Sequence, residues 1–273
     1  MIYIIVLNWN GLRDTRECLD SLRRVSLPPA RVLVVDNGSG DGSQEAIRRE
    51  FPDVTLLETG ANLRFAEGNN AGIRFALEHG ADQIMLLNND TTVDPAFLGA
   101  MSETLLAHAD TGIVTPKILY HQDPGIIWYA GGEISFWSGT MRHSGIREQD
   151  DGRFDVAGET AYASGCCMLL RRETVERIGL LDGAYYMYSE DADWCMRARR
   201  AGFQIRYEPR AKVWHKVSVS AGGHLSFFKL RNKFVSNLRF FSRYASWYHW
   251  LVFPWLNILV NARAALRFVA SAR

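Results

Sequence analysis

The sequence predicts an α/β fold built on a mostly parallel central sheet flanked by helices, with a helical, basic and aromatic extension at the C-terminus. Two observations predict the sheet: strand and helix patterns alternate through the first half of the chain, and only short connections separate them. A third observation, polar residues directly after several predicted strands, indicates one ligand site. With 273 residues and 47% hydrophobic content, the chain can bury a sizeable core.

The first half divides into strand–helix units. Residues 2–7 are an uninterrupted apolar run, typical of a strand buried on both faces. Residues 12–24 carry leucines on one side and precede Pro28 and Pro29, which end a helix. The strands predicted here are 2–7, 31–35, 54–57 and 84–87, and the helices are 12–24, 42–50 and 67–79. Short connections between such units imply right-handed crossovers and parallel strands.

The second half has less regular patterns. Residues 125–145 are rich in glycine, serine and aromatic residues, as β-hairpins are. The predicted elements that follow are strands at 165–170 and 203–207 and helices at 171–178 and 189–201. No clear linker interrupts the chain. We expect one domain over residues 1–225, with halves at 1–115 and 116–225, and an extension over 226–273.

Composition excludes several classes of protein. Aromatic residues are scattered along the whole chain, which excludes a disordered protein. The four cysteines, two of them adjacent at 166 and 167, match neither a disulfide framework nor a zinc pattern, and free thiols indicate a reducing compartment. Residues 1–7 are too short for a signal sequence and lack a basic start.

The net charge of +1 hides an uneven distribution. No acidic residue follows Glu208, whereas 11 lysines and arginines lie in 209–273. The first 208 residues hold the other 20 basic residues and all 30 acidic ones, which gives them a net charge of −10. An acidic body with a basic, aromatic tail indicates an anionic partner for the tail: a membrane, a nucleic acid or an acidic ligand.

Polar side chains recur where the predicted strands end. Asn8 and Asn10 follow the first strand, Asp36 and Asn37 follow the second, and residues 88–90 (Asn-Asn-Asp) follow the fourth. Parallel strands carry their carboxyl ends at one edge of a sheet, where ligands of such folds bind. The pattern therefore predicts the rim of a single site.

The glycine-rich turn after Asp36 has two interpretations. Its G-x-G-x-G spacing, after the second strand, departs from the dinucleotide-binding G-x-G-x-x-G pattern. The Asp36 carboxylate could accept hydrogen bonds from a base N–H or a ribose hydroxyl. In the alternative interpretation the turn is structural, and Asp41 and Ser43 begin the next helix.

Asp90 and the acidic cluster near residue 190 are candidates for chemistry. Asp90 directly follows a buried strand, where a carboxylate can hold Mg²⁺ or Mn²⁺ together with substrate phosphates. The alternative is an Asn/Asp turn in which Asp94 caps the next helix, a role that Asp94 fits. Glu190 and Asp191 lie at a predicted helix start, where a carboxylate can take a proton from an attacking hydroxyl. The helix dipole suffices to explain an acid such as Asp193 in the first turn, and it is an alternative for Glu190 as well.

His215 lies between Trp214 and Lys216, after the predicted strand 203–207 and a short connection. A lone histidine is either structural or a ligand, and an imidazole can complete the shell of a Mn²⁺-type ion. The neighbouring Lys212 and Lys216 would suit a diphosphate.

Together these residues resemble glycosyltransferase family 2, and most of all the rhamnosyltransferase-like members that build bacterial surface polysaccharides. The resemblance covers some four-fifths of the chain, from residue 2 to about 225. It rests on motifs in the family's order: Val-Leu-Asn-Trp-Asn-Gly, Val-Val-Asp-Asn-Gly-Ser, residues 62–72, Leu-Leu-Asn-Asn-Asp, residues 164–172 and Glu-Asp-x-Asp.

The resemblance implies a GT-A fold, whose sheet is Rossmann-like, and an inverting, metal-dependent transfer from a nucleotide-diphospho-sugar. Residues 1–115 would bind the donor, and residues 116–225 would form the acceptor and catalytic half. By position, Asp191 matches the catalytic base, Asp90 the ligand of Mg²⁺ or Mn²⁺, and His215 a histidine that completes the metal shell. The implied donor-binding residues are Asn8, Asn10, Asp36, Asn37, Arg64, Asn69 and Asn89. The implied acceptor-side or supporting residues are Glu190, Asp193, Gly165 and Trp214.

The chain departs from the family pattern at two positions. Its metal motif is Asn-Asn-Asp rather than Asp-x-Asp, so Asn89 replaces a charged neighbour. Arg64 stands where the family usually has glycine. A guanidinium there could reach a phosphate or cover the site.

The nearest-looking group suggests L-rhamnose from dTDP-rhamnose as the donor sugar, with a UDP-sugar as the alternative, and a glycan or lipid-linked acceptor. Residues 244–262 carry no formal charge and approach the roughly 20 residues that span a bilayer. Pro254 and interfacial residues such as Trp247 and Trp255 favour an element that lies on the membrane surface over a true span or a core or oligomer helix. We therefore expect a cytoplasmic protein at the inner face of the cytoplasmic membrane.

Rival functions fit the sequence less well. A nicotinamide-dependent dehydrogenase is disfavoured by the glycine spacing. A nucleotidyltransferase usually has a glycine-rich, basic loop after the first strand, and residues 8–11 (Asn-Trp-Asn-Gly) lack one. A non-catalytic nucleotide-binding or nucleic-acid-binding protein would explain the basic tail, but no known module is present and the body is acidic, so we expect no nucleic-acid partner.

Overall fold

The computed structural model describes residues 1–25, 28–217, 227–253 and 255–256. Its strands are β1 (Ile2–Asn8), β2 (Ala30–Asp36), β3 (Thr55–Glu58), β4 (Gln83–Asn88), β5 (Thr91–Val93), β6 (Thr111–Tyr120), β7 (Ile127–Tyr129), β8 (Gly132–Ser135), β9 (Thr140–His143), β10 (Gly158–Glu159), β11 (Cys167–Arg171) and β12 (Gln204–His215). Its helices are α1 (Leu12–Leu22), α2 (Ser43–Glu50), α3 (Arg64–Glu78), α4 (Phe97–Ala107), α5 (Arg172–Ile178), α6 (Glu190–Arg200) and α7 (Phe227–Tyr244).

One mixed sheet organises the molecule. Its strands follow the order β10-β12-β6-β11-β4-β1-β2-β3, with β5 added on β12 and β7 on β6. The four strands predicted from the first half, β3-β2-β1-β4, are parallel, as expected. β11 enters antiparallel between β4 and β6, whereas β6 and β12 are parallel to each other. The α/β class with a mostly parallel central sheet is therefore confirmed.

The first strand shows how the sheet buries both faces. Tyr3 and Ile5 pack into one hydrophobic cluster with residues of α3, α6 and α7, whereas Ile2 and Ile4 pack into a second cluster with residues of α1, α2 and α4. Because side chains alternate along a strand, an uninterrupted apolar run supplies both cores at once.

Two central strands differ from the sequence expectation. β6 was not predicted, because Thr111, Thr115 and Lys117 interrupt its apolar pattern, yet all three side chains are buried. The predicted strand 203–207 continues to His215, across a register shift between Glu208 and Lys212. His215 is thus the last residue of β12 and does not follow a separate connection.

Asp94 and Asp41, which the sequence places at helix starts, form the turns just before α4 and α2 and do not cap these helices: the N-cap residues are Ala96 and Gly42, without a side-chain cap hydrogen bond. Asp94 accepts the N–H of Ala96 on its side chain at 2.8 Å and forms the turn that leads into α4. Asp41 accepts the N–H of Ser43 at 3.2 Å where α2 begins. Both acids therefore act structurally.

The C-terminal extension contains the basic helix α7, as predicted. Phe240 and Phe241 are fully buried against the body of the protein. Across the described segments of the chain, no helix combines the length and the hydrophobicity that crossing a bilayer requires. Pro254 and residues 257–262 of the uncharged stretch, and the expected domain boundary at 225/226, lie outside the described residues.

Candidate active site

Asn8 forms the centre of a polar floor at the carboxyl end of β1. Its fully buried side chain donates to Asp36 Oδ2 at 2.9 Å and to Ser39 Oγ at 3.2 Å. Its Oδ1 accepts from Thr15 Oγ1 at 2.8 Å and from Asn89 Nδ2 at 3.3 Å. The network joins the ends of β1, β2 and β4, which confirms that these strand ends gather at one place.

Asp36 supports the turn that follows β2. Its carboxylate is fully buried, and Oδ1 accepts Gln44 Nε2 at 2.7 Å and the N–H of Ser39 at 3.0 Å. Asn10, whose φ of 50° is in the left-handed region, accepts the N–H of Gly40 at 2.8 Å. The turn is therefore held in one conformation from both sides.

Asn37, Arg64 and Asn69 lie where α3 begins. Asn37 Nδ2 donates to the Arg64 carbonyl at 3.2 Å, and Asn69 Nδ2 donates to the Phe65 carbonyl at 2.9 Å. The Arg64 guanidinium stacks over the Tyr186 ring at 3.9 Å. The Tyr186 ring thus holds the guanidinium in place.

Asp90 and His215 form a pair beside this floor. Their Oδ1 and Nε2 atoms lie 3.2 Å apart, and both side chains are largely buried. The antiparallel register of β12 with β5 places His215 opposite Thr91, and the Lys216 N–H donates to the Asp90 carbonyl at 2.9 Å. Burial lowers the pKa of His215, but the adjacent Cys166 thiol and the Asp90 carboxylate outweigh it and raise that pKa to about 10.

This pair fits a divalent cation that also takes ligands from its substrate. Neighbouring ligands of a six-coordinate ion with bonds of about 2.1–2.2 Å lie about 3 Å apart, which is the spacing of Asp90 and His215. Within the described residues no cluster of three or more His, Cys, Asp and Glu residues could hold a metal. An ion at this pair would therefore share its shell with waters and substrate phosphates.

Asp191 is held by the backbone in the first turn of α6. The N–H of Gly165 donates to its Oδ2 at 2.9 Å, and the N–H of Ala192 donates to its Oδ1 at 2.8 Å. Burial raises the pKa of Asp191 against the lowering effect of these hydrogen bonds. Fixed orientation and raised basicity are the properties of a general base.

Glu190 lies next to Asp191 and is buried. Burial, and then the charge of Asp191, raise the pKa of Glu190 to about 8. Its Oε2 atom has no hydrogen-bond partner among the residues that the structure describes. A buried carboxyl oxygen without a partner is costly, so this atom is suited to a ligand.

Asp193 is explained by hydrogen-bond partners in addition to the helix dipole. Its fully buried carboxylate accepts Arg197 Nε at 2.9 Å, Arg243 Nη1 at 2.9 Å and the Tyr244 hydroxyl at 2.7 Å. It therefore anchors α7 to α6. Trp214 follows the alternation of β12 to the face opposite His215, where it packs against a small cluster that includes Ile127.

Sequence reasoning missed several supporting residues. Ser39, Gln44 and Thr15 form hydrogen bonds with the floor residues. His143 makes an edge-to-face contact with Trp128, which makes a similar contact with His215. No local pattern marks these side chains, because each becomes important only through partners distant in the sequence.

The likeness to solved structures shows the class of fold, which is GT-A. The structure superimposes on that of the mannosyltransferase PcManGT from Pyrobaculum calidifontis, in complex with GDP-Man and Mn²⁺, with a TM-score of 0.67 and 20% identity. The match covers 100% of this chain and 75% of the other.

The sequence profile of glycosyl transferase family 2 matches residues 3–179, and the chain belongs to that family. It is 30% identical over 226 residues to the N-acetylglucosaminyl-diphospho-decaprenol L-rhamnosyltransferase of Mycobacterium tuberculosis, covering 75% of this chain and 72% of the relative. It is 22% identical over 220 residues to the dTDP-rhamnosyl transferase RfbF of Shigella flexneri, covering 79% and 69%. The resemblance to the rhamnosyltransferase-like group is confirmed, and the protein is a glycosyltransferase.

Proposed function

We propose that this glycosyltransferase moves L-rhamnose from dTDP-rhamnose to a hydroxyl of a lipid-linked glycan acceptor, with inversion, in bacterial surface polysaccharide synthesis. The observation that carries the chemistry is Asp191, held by the Gly165 and Ala192 N–H groups with a raised pKa. The sugar and the acceptor rest on the two rhamnosyltransferase relatives.

Asp191 takes the proton of the acceptor hydroxyl as that oxygen attacks the anomeric carbon. The bond between this carbon and the diphosphate oxygen breaks on the opposite face, and the nucleoside diphosphate leaves. A single displacement assisted by one base, with attack on the face opposite the leaving group, gives inversion. The backbone donors to Asp191 fix the direction in which the carboxylate meets the hydroxyl.

The floor around Asn8 and Asp36 holds the nucleotide end of the donor. Its side chains are committed to one another and to the turn near Ser39 and Gly40, so the floor presents a rigid surface to the donor. Asp90 and His215 would hold Mg²⁺ or Mn²⁺, which supplies charge neutralisation to the leaving diphosphate.

A donor panel tests the proposal. Purified protein is given dTDP-rhamnose, UDP-glucose or UDP-N-acetylglucosamine with Mn²⁺ and an N-acetylglucosaminyl-diphospho-polyprenol acceptor, and the product's anomeric configuration is read by NMR. We expect transfer from dTDP-rhamnose with inversion. Transfer from a UDP-sugar alone would replace the donor assignment, and binding of every donor without transfer would favour a non-catalytic nucleotide-binding protein.

The outer surface of the C-terminal segment supports a membrane partner. Phe234, Leu238, Trp247 and Trp255 are exposed there, at 68%, 44%, 76% and 70%. No acidic residue follows Glu208, so the surface matches an anionic leaflet. We propose that this surface lies on the inner face of the cytoplasmic membrane, where a lipid-linked acceptor is presented.

Vesicle flotation tests the membrane contact. The full chain is mixed with vesicles that contain phosphatidylglycerol or only phosphatidylcholine. We expect it to float with the anionic vesicles and to lose most of that binding when Phe234, Leu238 and Trp247 are changed to Ser. Leu106→Ser, at an apolar position 65% exposed elsewhere, is the control. Equal flotation of the triple variant would overturn the assignment.

A further inference from the structure

Trp128 of β7 contacts the histidine of the metal pair. The centroids of the Trp128 and His215 rings lie 4.6 Å apart, with an angle of 76° between the ring planes. β12 aligns His215 with Tyr120, the last residue of β6, and β7 pairs antiparallel with the same end of β6. The indole is only partly buried. Trp128 therefore belongs to the edge of the sheet that carries the site, next to the metal pair.

His143, the last residue of β9, continues from Trp128. The two ring centroids lie 4.4 Å apart, and His143 Nδ1 lies 3.1 Å from the Trp128 carbonyl oxygen. Because a carbonyl oxygen only accepts hydrogen bonds, Nδ1 carries the proton of the neutral ring and Nε2 carries a lone pair. Burial lowers the pKa of His143 to about 4, against this hydrogen bond, so the ring is neutral at pH 7. Its Nε2 has no hydrogen-bond partner among the residues that the structure describes.

The same row of rings leads to the segment that holds the base. The centroids of the His143 and Tyr162 rings lie 6.1 Å apart, and the Tyr129 hydroxyl donates to the Tyr162 carbonyl at 2.6 Å. Three residues after Tyr162, the N–H of Gly165 donates to Asp191 Oδ2 at 2.9 Å. The indole and imidazole rings therefore lie between the metal pair and the segment that positions the base.

The proposed reaction puts the transferred sugar along this wall of rings. The anomeric carbon is bonded to the diphosphate, whose place is at the metal pair, and it is attacked by the hydroxyl that Asp191 deprotonates. The sugar thus connects the two ends of the wall. An aromatic ring that covers apolar C–H groups, together with a few fixed polar atoms that orient the ligand, is the usual composition of a small-molecule site.

We propose that Trp128 and His143 form the subsite for the transferred sugar, which is a 6-deoxyhexose: the Trp128 ring packs against its apolar side and its methyl group, and His143 Nε2 accepts a hydrogen bond from one of its hydroxyl groups. The inference rests on the proposed function and adds the residues that select the sugar. Burial of a methyl group against an indole is favourable, whereas burial of a hydroxymethyl group there without a partner costs free energy.

Calorimetry in an Asp191→Asn background, where the donor stays intact, separates the sugar from the nucleotide. With Mn²⁺ present, dTDP reports on the nucleotide and the metal, and dTDP-rhamnose adds the sugar. We expect Trp128→Ala to weaken dTDP-rhamnose binding about tenfold, the size of one lost apolar contact in a binding pocket, and to leave dTDP binding unchanged. We expect the same pattern for His143→Ala, with a loss of up to about tenfold from one hydrogen bond.

Conservative variants distinguish loss of contact from loss of structure. Trp128→Phe keeps an aromatic ring, and His143→Gln keeps an acceptor oxygen near the position of Nε2. Both should recover most of the lost dTDP-rhamnose affinity. The affinity for dTDP-glucose, whose hydroxymethyl group does not fit the indole, should change less than threefold in Trp128→Ala. An equal loss for dTDP-glucose and dTDP-rhamnose would overturn the selection of a 6-deoxyhexose.

Trp137→Ala and His108→Ala are the matched controls. Trp137, in the turn between β8 and β9, makes a similar edge-to-face contact with His249, with ring centroids 4.8 Å apart. His108, after α4, is also partly buried, and its Nδ1 lies 3.0 Å from the Thr104 carbonyl oxygen. Both variants should bind dTDP and dTDP-rhamnose as the parent protein does. Equal losses for dTDP and dTDP-rhamnose in Trp128→Ala would mean that the indole only supports His215, and would overturn the subsite.

Transfer assays on the protein with Asp191 intact separate this inference from the proposed function. Transfer of rhamnose, with dTDP-rhamnose affinity unchanged in both alanine variants, supports the function and contradicts the subsite. Absence of transfer, with a preference for dTDP-rhamnose over dTDP that Trp128→Ala removes, supports the subsite and contradicts the function. Absence of both the transfer and the preference contradicts both.

Discussion

His215 Nε2 lies 3.2 Å from Asp90 Oδ1, although 124 residues separate them in the chain. The contact follows from β-sheet register: β12 pairs antiparallel with β5, and β5 begins one residue after Asp90. Both side chains are thus positioned by backbone hydrogen bonds, which makes the pair rigid before any ligand arrives.

Substitution of either residue should weaken metal-dependent donor binding. His215→Ala removes one of the two proposed metal ligands, and we expect the affinity for dTDP with Mn²⁺ to fall by at least about tenfold. Asp90→Ala should abolish the Mn²⁺ dependence. Calorimetry with and without Mn²⁺ measures both. His79→Ala, at an exposed histidine at the end of α3, is the control and should bind as the wild type does. Unchanged Mn²⁺ dependence in His215→Ala would remove the histidine from the metal shell.

Asp191→Asn should separate binding from chemistry. The amide has nearly the shape of the carboxylate but cannot take a proton, so we expect kcat to fall about 10²- to 10⁴-fold. Donor affinity, measured by calorimetry, should not change, because the floor around Asn8 is untouched. Asp20→Asn, an exposed acid on α1, should retain full turnover. Near-normal turnover in Asp191→Asn would show that another group is the base.

Glu190→Gln should change stability in a pH-dependent way. In the unfolded chain Glu190 ionises near its ordinary value of 4.5, whereas burial and Asp191 raise its folded pKa to about 8. Between these values the folded state keeps the proton that the unfolded state releases, so the wild type loses stability as the pH rises. The free energy of unfolding of the Gln variant, relative to that of the wild type, should rise by at most about 1.4 kcal/mol per pH unit over this window. Above pH 8 the difference should stay constant.

Urea unfolding at pH 5, 6.5, 8 and 9 measures this difference. The matched control is Glu176→Gln on α5, where the side chain is 52% exposed and pairs with Arg172. Its difference from the wild type should be small and nearly independent of pH. A flat difference for Glu190→Gln as well would mean that Glu190 is ionised in the folded protein at neutral pH.

The fold was predictable where a strand has an uninterrupted apolar sequence. β1, β2 and β4 are apolar on both faces, and the sequence shows them directly. β6 was not predictable, because its polar side chains are satisfied by remote partners: Lys117 by Asp150, and Thr115 by the Cys167 carbonyl. The sequence pattern of such a strand resembles that of a loop, because the partners of its polar side chains cannot be seen in the sequence.

The candidate site, too, was predictable only in part. The sequence marked Asp90 and Asp191 as candidates because Asp90 follows the apolar strand β4 and Asp191 belongs to an acidic cluster at the start of α6. The commitment of Asp36 to Ser39 and Gln44, and that of Asp193 to Arg243, were not foreseeable, since hydrogen-bond partners depend on packing between elements. Residues 257–273 lie outside the described part of the chain, so the tail's apolar end stays a prediction.

Arg64→Gly should loosen the segment that carries Tyr186 without altering donor affinity. Arg64 has a φ of 67°, which glycine adopts freely, and its guanidinium stacks on Tyr186. Relief of the left-handed backbone and loss of stacking each amount to about 1 kcal/mol and offset each other. We expect little change in the free energy of unfolding, but faster proteolysis of the segment 182–188.

Tyr186→Ala provides the comparison, since it removes the ring and keeps the strained backbone. It should lower the free energy of unfolding by about 1 kcal/mol. The dTDP affinity of Arg64→Gly should stay within about threefold of the wild type, a difference near thermal energy. A loss of tenfold or more would show that the guanidinium leaves Tyr186 and binds a donor phosphate.

Lys117 provides a test of how the central strand β6 tolerates a charge. Its side chain is fully buried and pairs with Asp150 at 2.6 Å and with Asp155. Lys117→Met leaves the nearly buried Asp150 without its closest cation, so we expect a loss of about 3 kcal/mol in the free energy of unfolding, measured by urea denaturation.

Lys212→Met is the matched control, because Lys212 faces the same Asp150 from the neighbouring strand at 3.5 Å but is 40% exposed. It should cost less than about 1 kcal/mol, since the Lys212 ammonium is itself partly solvated and Lys117 still pairs with Asp150. Equal losses in the two variants would mean that burial does not set the strength of this pair, and a gain in Lys117→Met would mean that desolvation of the ammonium outweighs both contacts.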